Sequence, residues 1–343
     1  MSALLLWLQF VLCAGLIARA GWMLSRSGER IAALTGLSGG WIGLALLATA
    51  TSMPELASGV SAVALLQAPN LAVGNALGAC VFNLLFLAVL DTLSRKEPLY
   101  RRASDEHLLS AAFGAVMLGL VAMAVLMAEV MPSLLHLGVY SPALLGLYLL
   151  ALRSVHARQQ AGSHRSAHPP EAGTPPREGR AGRSGRLVRE LRRFGLAALV
   201  VLASGIWLST LAEQIAQSMG WNRSFVGTLF MALATTLPEA AVTLSALRMG
   251  AVDMAIGNLL GSNLFNVLIL AIDDAAYLQG TLLADASPAH AGTAMAAVVM
   301  TALVIIGLVM RPRGRVLRLA SWVSIGVAAT YVLAATLVFV RGG

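Results

Sequence analysis

Residues 49–55 read TATSMPE and residues 233–239 read LATTLPE, each inside a long apolar run. In the first, Thr51 and Glu55 are four residues apart and Ser52 and Glu55 three apart, so all three side chains share one helical face. Pro54 has no N–H to donate, which frees the carbonyl of Ala50 and kinks the helix there. The second copy repeats the pattern with Thr235, Thr236, Pro238, Glu239 and the carbonyl of Ala234. A charge is costly at membrane depth, and irregular backbone is tolerated there only against protein or a water-filled cavity. Carboxylate, hydroxyl and carbonyl oxygens suit a hard cation, whereas thiolate and imidazole, which would point to zinc, copper or iron, are missing from both phrases. Two carboxylates balance one Ca2+, two Na+ or two protons. Ions competing for one pair of acids, at a site too costly to move empty across a bilayer, are what an antiporter requires.

A second phrase follows each Glu: GNALGACVFN at 74–83 and GNLLGSNLFN at 257–266. Asn75, Ala79 and Asn83 recur at i, i+4 and i+8, and Asn258, Ser262 and Asn266 do the same. Gly74 with Gly78, and Gly257 with Gly261, have the small-xxx-small spacing that lets helix backbones approach closely. Such contacts would bring these helices within ligand distance of the Pro–Glu helices. Glu55 and Glu239 are 184 positions apart, Asn75 and Asn258 are 183 apart. The chain is an internal duplication in which one residue was lost between the motifs.

The elements that must position these residues are apolar. Hydrophobic residues make up 58%, charged residues 12%, and mean hydropathy is +0.78, which describes an integral membrane protein in a lipid bilayer rather than a soluble enzyme. The net charge of +8 is then no nucleic-acid signal, because Arg marks the cytoplasmic ends of membrane helices. Cys13 and Cys80 both lie in apolar runs, so no disulfide framework is expected, and no organic cofactor is implied. The six histidines fall at helix ends or in loops and read as solvated.

Ten hydrophobic segments are long enough to span, at roughly 3–23, 39–65, 70–91, 107–128, 134–152, 194–219, 222–247, 252–279, 287–310 and 317–340. Ala18-Arg19-Ala20 resembles a signal-peptide cleavage site, but the basic leader is missing and the first segment reads as a span. Residues 153–193 are polar and basic, with too few apolar residues to bury a core, and read as a flexible linker near anionic lipid. The expected fold is all-α, with ten transmembrane helices as a 5+5 inverted repeat. Its first five-helix unit is 1–152 with ion motif 46–83, and its second is 194–343 with ion motif 230–266.

With the N-terminus outside, the inner segments hold Arg26, Arg30, Arg95, Lys96, Arg101, Arg102, the linker arginines, Arg248, Arg311, Arg313, Arg315 and Arg318. The outer ones keep only Arg223 and Arg341, together with Asp273, Asp274 and Asp285. This bias puts the linker in the cytoplasm and both termini outside, in the plasma (inner) membrane. Five is an odd number, so the second unit enters the bilayer from the opposite side, and its motifs meet those of the first near the midplane.

These phrases resemble the cation/calcium antiporter superfamily, in particular its sodium/calcium exchanger branch. That family's mark is a pair of inverted repeats, each with a G-T-S-x-P-E-type phrase followed by G-N-x-x-G-S-N-x-F-N. The second copy matches nearly throughout, while the first reads GNALGACVFN. The resemblance implies ten helices, the first and sixth sliding against the other eight during alternating access. It implies Ca2+ held by the carboxylates of Glu55 and Glu239 and the carbonyls of Thr51 and Thr235. It implies Na+ held by the same acids, the hydroxyls of Ser52, Thr236 and Ser262, and the carbonyls of Ala48 and Ala232. Asn83 and Asn266 would flank the centre.

Two departures bear on coupling. Ala79 and Cys80 stand where the family has Ser and Asn, which removes a hydroxyl from one sodium position. Some members also carry an Asp where this chain has Asn266, so two strong charges remain here. The expected function is therefore exchange of Ca2+ against Na+, with H+-coupled exchange of Ca2+ or another divalent cation as the alternative. A cation channel has no need of proline-broken inverted repeats, and a metal-dependent intramembrane enzyme usually has a denser acidic or His motif. The protein is expected not to be an enzyme.

Overall fold

The computed structural model describes residues 3–94, 97–128, 130–134, 136–165, 180–219, 234–316 and 320–342. Helix α1 is Ala3–Thr35 and α2 is Gly39–Thr51, whose middle Ile42–Leu47 is a π-helical segment. Then come α3 (Met53–Ala64), α4 (Pro69–Leu93), α5 (Glu106–Leu126) and α6 (Tyr140–Arg165). The second half contains α7 (Arg180–Ser218), α8 (Leu237–Arg248), α9 (Val252–Ala276), α10 (Ala289–Met310) and α11 (Trp322–Gly342). A two-strand hairpin, Ser133–Leu134 with Leu137–Gly138, precedes α6. Among the described residues α1, α4, α5, α7, α9 and α10 contain stretches long and apolar enough to cross a membrane.

Three expected boundaries need correction. Helix α1 continues to Thr35, past the expected end of the first span, so Arg26 and Arg30 are helical. Residues 153–165 and 180–193, expected as flexible linker, are helical extensions of α6 and α7. An established helix propagates cheaply through Arg, Ala and Gln, and Glu190 ties the α7 extension down by accepting from Arg30 at 3.1 Å and Arg193 at 2.7 Å. Leu134, Leu137 and Gly138 belong to the hairpin instead of the start of a span.

Helix α9 is the centre of the molecule. Its apolar stretch is 94% buried, against 28% for α1. It packs on α2, α3, α4, α5, α6 and α8. Lipid tails are as apolar as these side chains, so close packing and polar contacts, not transfer from water, hold membrane helices together. Gly261 is one such contact: a Cβ there would lie 2.5 Å from the Leu44 carbonyl oxygen and 2.8 Å from Ala48 Cβ. The small-xxx-small spacing does bring α9 onto the helix that leads into the first Pro–Glu phrase.

Helices α1 and α7 pair on the outside. Leu6, Cys13 and Ile17 pack with Ile215, Leu211 and Leu208, whereas Ala20, Leu24 and Ile31 pack with Val201, Ala197 and Phe194. Contacts ascending one helix and descending the other make the pair antiparallel. Leu4, Leu8, Leu12 and Leu16 are exposed at intervals of four, a stripe suited to lipid.

The duplication is visible as a two-fold relation. Cys80 Sγ donates to the Asn263 carbonyl at 3.7 Å, and Asn263 Nδ2 donates to the Cys80 carbonyl at 3.3 Å. The two residues are 183 apart, so they are counterparts in the two copies. Reciprocal contact between equivalent positions is the mark of a two-fold axis. At one end, Asp253 in the first turn of α9 accepts from Ser104 N at 2.8 Å and bonds His107 Nε2 at 2.9 Å. At the other, Asn70 in the first turn of α4 accepts from Ser287 N at 2.6 Å and bonds His290 Nε2 at 3.2 Å. Ser104 and His107 lie just beyond the C-terminus of α4, so α4 and α9 run antiparallel and the axis lies across them. That is the geometry of an inverted repeat. His107 is buried, a correction to its reading as solvated: it is the partner of a helix-terminal carboxylate.

Candidate ion-binding site

Both Pro–Glu phrases break their helices in one way. Ser52 has φ −87°, ψ 7° and Thr236 has φ −85°, ψ 1°, each closing one helical segment and opening the next, with the proline in its first turn. Proline is well tolerated there because the first helical N–H groups have no intrahelical acceptor. The π segment Ile42–Leu47 leads into the first break, an irregularity found most often where function needs it.

The breaks meet. Ser52 Oγ donates to Glu239 Oε1 at 2.9 Å, a bond between the two copies. Thr51 Oγ1 lies 3.4 Å from Ser262 Oγ and donates to the Ala48 carbonyl at 3.2 Å. That carbonyl also accepts from Ser52 N at 3.0 Å, so in this conformation Ala48, expected as a sodium ligand, serves the helix break. Glu55, Glu239, Thr51, Ser52, Thr235, Thr236, Ser262, Asn83 and Asn266 are all buried. Ala232 lies outside the described residues.

Unspent hydrogen-bonding capacity marks the place where they meet. Both carboxylate oxygens of Glu55, Glu239 Oε2, Asn83 Nδ2 and both amide atoms of Asn266 are buried without a hydrogen-bond partner. Buried polar atoms in a native fold are almost always satisfied, and each exception asks for a ligand or water. Oxygens predominate in this set, and a hard cation between the two carboxylates would satisfy them together. Among the described residues no three His, Cys, Asp or Glu side chains cluster, so hydroxyl, amide and carbonyl oxygens must complete any such shell.

The duplication is not perfect here. Ser262, beside Thr51, has Ala79 as its counterpart, and Ala79 has no hydroxyl to offer Thr235. Asn75 is half-buried. Asn258 donates to Thr243 Oγ1 at 2.9 Å and so ties α9 to α8. Gly205 of α7 presses on the first break, where a Cβ would fall 2.5 Å from Pro54 Cγ and 2.8 Å from its Cβ. Gly21 of α1, its counterpart at the 184-residue separation, abuts Ala241 and Val242 beyond the second break.

Two carboxylates expected on the outer side of the membrane lie within α9. Asp273 and Asp274 are fully buried in the last turn of α9. Asp274 accepts from Gly138 N at 2.9 Å, Tyr140 Oη at 2.6 Å, Ser141 Oγ at 2.5 Å and Leu282 N at 2.7 Å. Asp91, 183 positions earlier, accepts from Leu99 N at 2.7 Å, Ser321 N at 2.8 Å and Ser324 Oγ at 2.8 Å. Leu99, Gly138 and Ser141 are the counterparts of Leu282, Ser321 and Ser324 at that same separation. Each Asp thus clasps the loop after its own helix to the start of a helix in the other copy. The sequence contained the signal: extending the alignment eight residues past Asn83 and Asn266 pairs Asp91 with Asp274.

The model of the sodium/calcium exchanger protein family matches residues 5–154 and 192–340. The chain belongs to that family. Among relatives, CaxA of Alkalimonas amylolytica, which has the name of an antiporter, is 31% identical over 252 residues, covering 66% of this chain and 66% of its own length. The inner membrane protein YrbG of Escherichia coli is 27% identical over 234 residues, covering 67% of this chain and 66% of its own length. The solved structure of the sodium-calcium exchanger NCX_Mj superposes with TM-score 0.72 at 20% identity, covering 98% of this chain and 99% of that one. The exchanger fold is thereby established for an integral membrane protein of this family.

Proposed function

We propose that this exchanger-family protein is a secondary-active antiporter that moves Ca2+ against Na+ by alternating access. Its ten transmembrane helices form a 5+5 inverted repeat, with both termini outside, the 153–193 segment in the cytoplasm and the site at the plasma (inner) membrane's midplane. The observation that carries this reading is the contact of two buried Pro–Glu breaks from the two copies, joined by Ser52 and Glu239, with Glu55 unpaired beside them. Ca2+, as substrate, is held by Glu55 and Glu239 with the carbonyls of Thr51 and Thr235. Na+ uses the same acids with Ser52, Thr236 and Ser262, the carbonyl of Ala232 and, once its present hydrogen bonds yield, that of Ala48. Asn83 and Asn266 flank the ions. Helices α1 and α7 slide as a pair over the two breaks, on the glycines Gly21 and Gly205.

One observation favours a second reading. Ala79 leaves the Thr235 side of the site one hydroxyl short of the Thr51 side, and two Glu residues suffice for H+-coupled exchange of Ca2+ or another divalent cation. Ca2+ uptake into proteoliposomes, driven in turn by an outward Na+ gradient and an outward H+ gradient, decides between them. Uptake on Na+ is expected. Uptake on H+ alone replaces Na+ by H+ in the scheme, and uptake with neither gradient refutes Ca2+ antiport. Ca2+ flux without any counter-ion would make the protein a channel.

A further inference from the structure

The last turn of α9 holds a carboxylate that neither the site nor the clasp uses. Asp273 is fully buried, and neither of its oxygens has a hydrogen-bond partner. Among the described residues no Lys, Arg or His pairs with it. It is aimed at Gly59 of α3, where a built Cβ would come within 2.8 Å of Oδ1 and 2.9 Å of Cγ. Only a glycine leaves that carboxylate its place.

Position makes it more than a buried charge. Gly59 is one helical turn beyond Glu55 on the same face of α3, about 6 Å along the axis. On α9, Ser262, Asn266 and Asp273 follow at i, i+4 and i+11 on one helical face, with the buried Ile269 between the last two, and Asp273 lies roughly 10 Å past Asn266. The link from Asp273 to the central acids is therefore the Gly59–Glu55 turn of α3.

Symmetry isolates it further. At the separations that align the copies, Asp273 corresponds to Leu90 and Gly59 to Thr243. Leu90 is a buried apolar residue, and Thr243 is engaged by Asn258. The inner half thus has neither the carboxylate nor the glycine that makes room for it. A fold built by duplication needs no charge here, and an unpaired carboxylate inside a membrane span is costly unless a counter-charge occupies it.

We propose that Asp273 is an entry site for a hard cation on the outer half of the pathway, receiving Ca2+ from the external face and passing it one turn inward to Glu55. This rests on the antiport reading above, and it adds a third acid that serves one side of the membrane only. A charge of one sign in a low-dielectric cleft raises the local concentration and on-rate of its ion.

The test is Ca2+ transport by wild type, Asp273→Asn and Asp273→Leu in proteoliposomes of known orientation, with Ca2+ offered to each face in turn. The Leu variant installs the residue found at the counterpart position and keeps the site apolar should the Asn variant fold poorly. Thermal melting checks both. The expected result is a KM for external Ca2+ raised about tenfold, an unchanged KM at the cytoplasmic face and recovery in Asp273→Glu. Unchanged KM values at both faces, or equal losses at both, would overturn the entry site. So would a shifted external pH profile with unchanged external KM, which would mean that Asp273 holds a proton instead. Wild type that moves no Ca2+ would refute the antiport reading itself.

Discussion

The Asp274 clasp makes a quantitative claim. Replacing Asp274 by Ala removes the acceptor of four buried donors, two backbone N–H groups and two hydroxyls, at one end of the molecule. An unsatisfied buried donor costs about 1–3 kcal/mol, but water entering the vacated space recovers part of that. A net loss of about 3–5 kcal/mol follows, the range found when one partner of a buried charged network is deleted. At about 2–4 °C per kcal/mol, the melting temperature should fall by roughly 6–20 °C. The chain supplies its own reporter, since Cys13 and Cys80 are buried and free, and a thiol-reactive dye reads their exposure on heating. Asp91→Ala strands three donors instead of four and should lose less than Asp274→Ala. Neither residue touches the central acids, so surviving protein at permissive temperature should keep its KM for Ca2+. A melting temperature within 2 °C of wild type for Asp274→Ala, or a larger loss for Asp91→Ala, would refute the accounting.

Three other changes test the site. Glu55→Gln and Glu239→Gln should each abolish Ca2+ uptake while melting no lower than wild type, because a buried charge becomes a neutral isostere; uptake retained in both would remove them from the ion path. Gly205→Ala drives a Cβ against the rigid Pro54 ring, an overpacking cost of about 1–3 kcal/mol. If α7 slides on that contact, the conformational balance shifts about 5–150-fold, read as a change in the ratio of KM values at the two faces; an unaltered ratio means α7 does not bear on the break. Ala79→Ser restores the missing hydroxyl and should strengthen Na+ dependence of Ca2+ uptake, whereas unchanged Na+ dependence would show that this hydroxyl does not set coupling.

Much of this arrangement was legible from sequence because membranes permit few solutions. Proline beside glutamate, twice, at depth, implied two broken helices facing each other, and the Ser52 and Thr236 conformations match that expectation. Glycine spacing foretold the approach of α9 to α2. What escaped was of two kinds. Helix ends outside the apolar stretches, such as α1 to Thr35 and α7 from Arg180, depend on propagation and ion pairs that hydropathy does not weigh. Buried polar residues at helix termini, Asp91, Asp274 and His107, look like loop residues to any rule that sorts by polarity. Their partners in the other copy are about 130 to 230 residues away along the chain, where no local pattern reaches.

The places where the copies disagree have a physical meaning of their own. In a perfect inverted duplicate, the two-fold axis between Cys80 and Asn263 would exchange the inward-open and outward-open states, and the two would have equal energy. Any preference for one state, and any difference in affinity between faces, must then come from positions that break the symmetry, or from the bilayer potential and the ions themselves. The clasps Asp91 and Asp274, and the caps on Asn70 and Asp253, keep the symmetry almost donor for donor, so they hold the frame and bias it little. Ala79 against Ser262, Leu90 against Asp273, and Gly59 against Thr243 break it between the centre and the helix ends. Positions that break the symmetry are where a sidedness built into the chain must reside, and exchanging residues within one of those three pairs should alter sidedness before it alters stability.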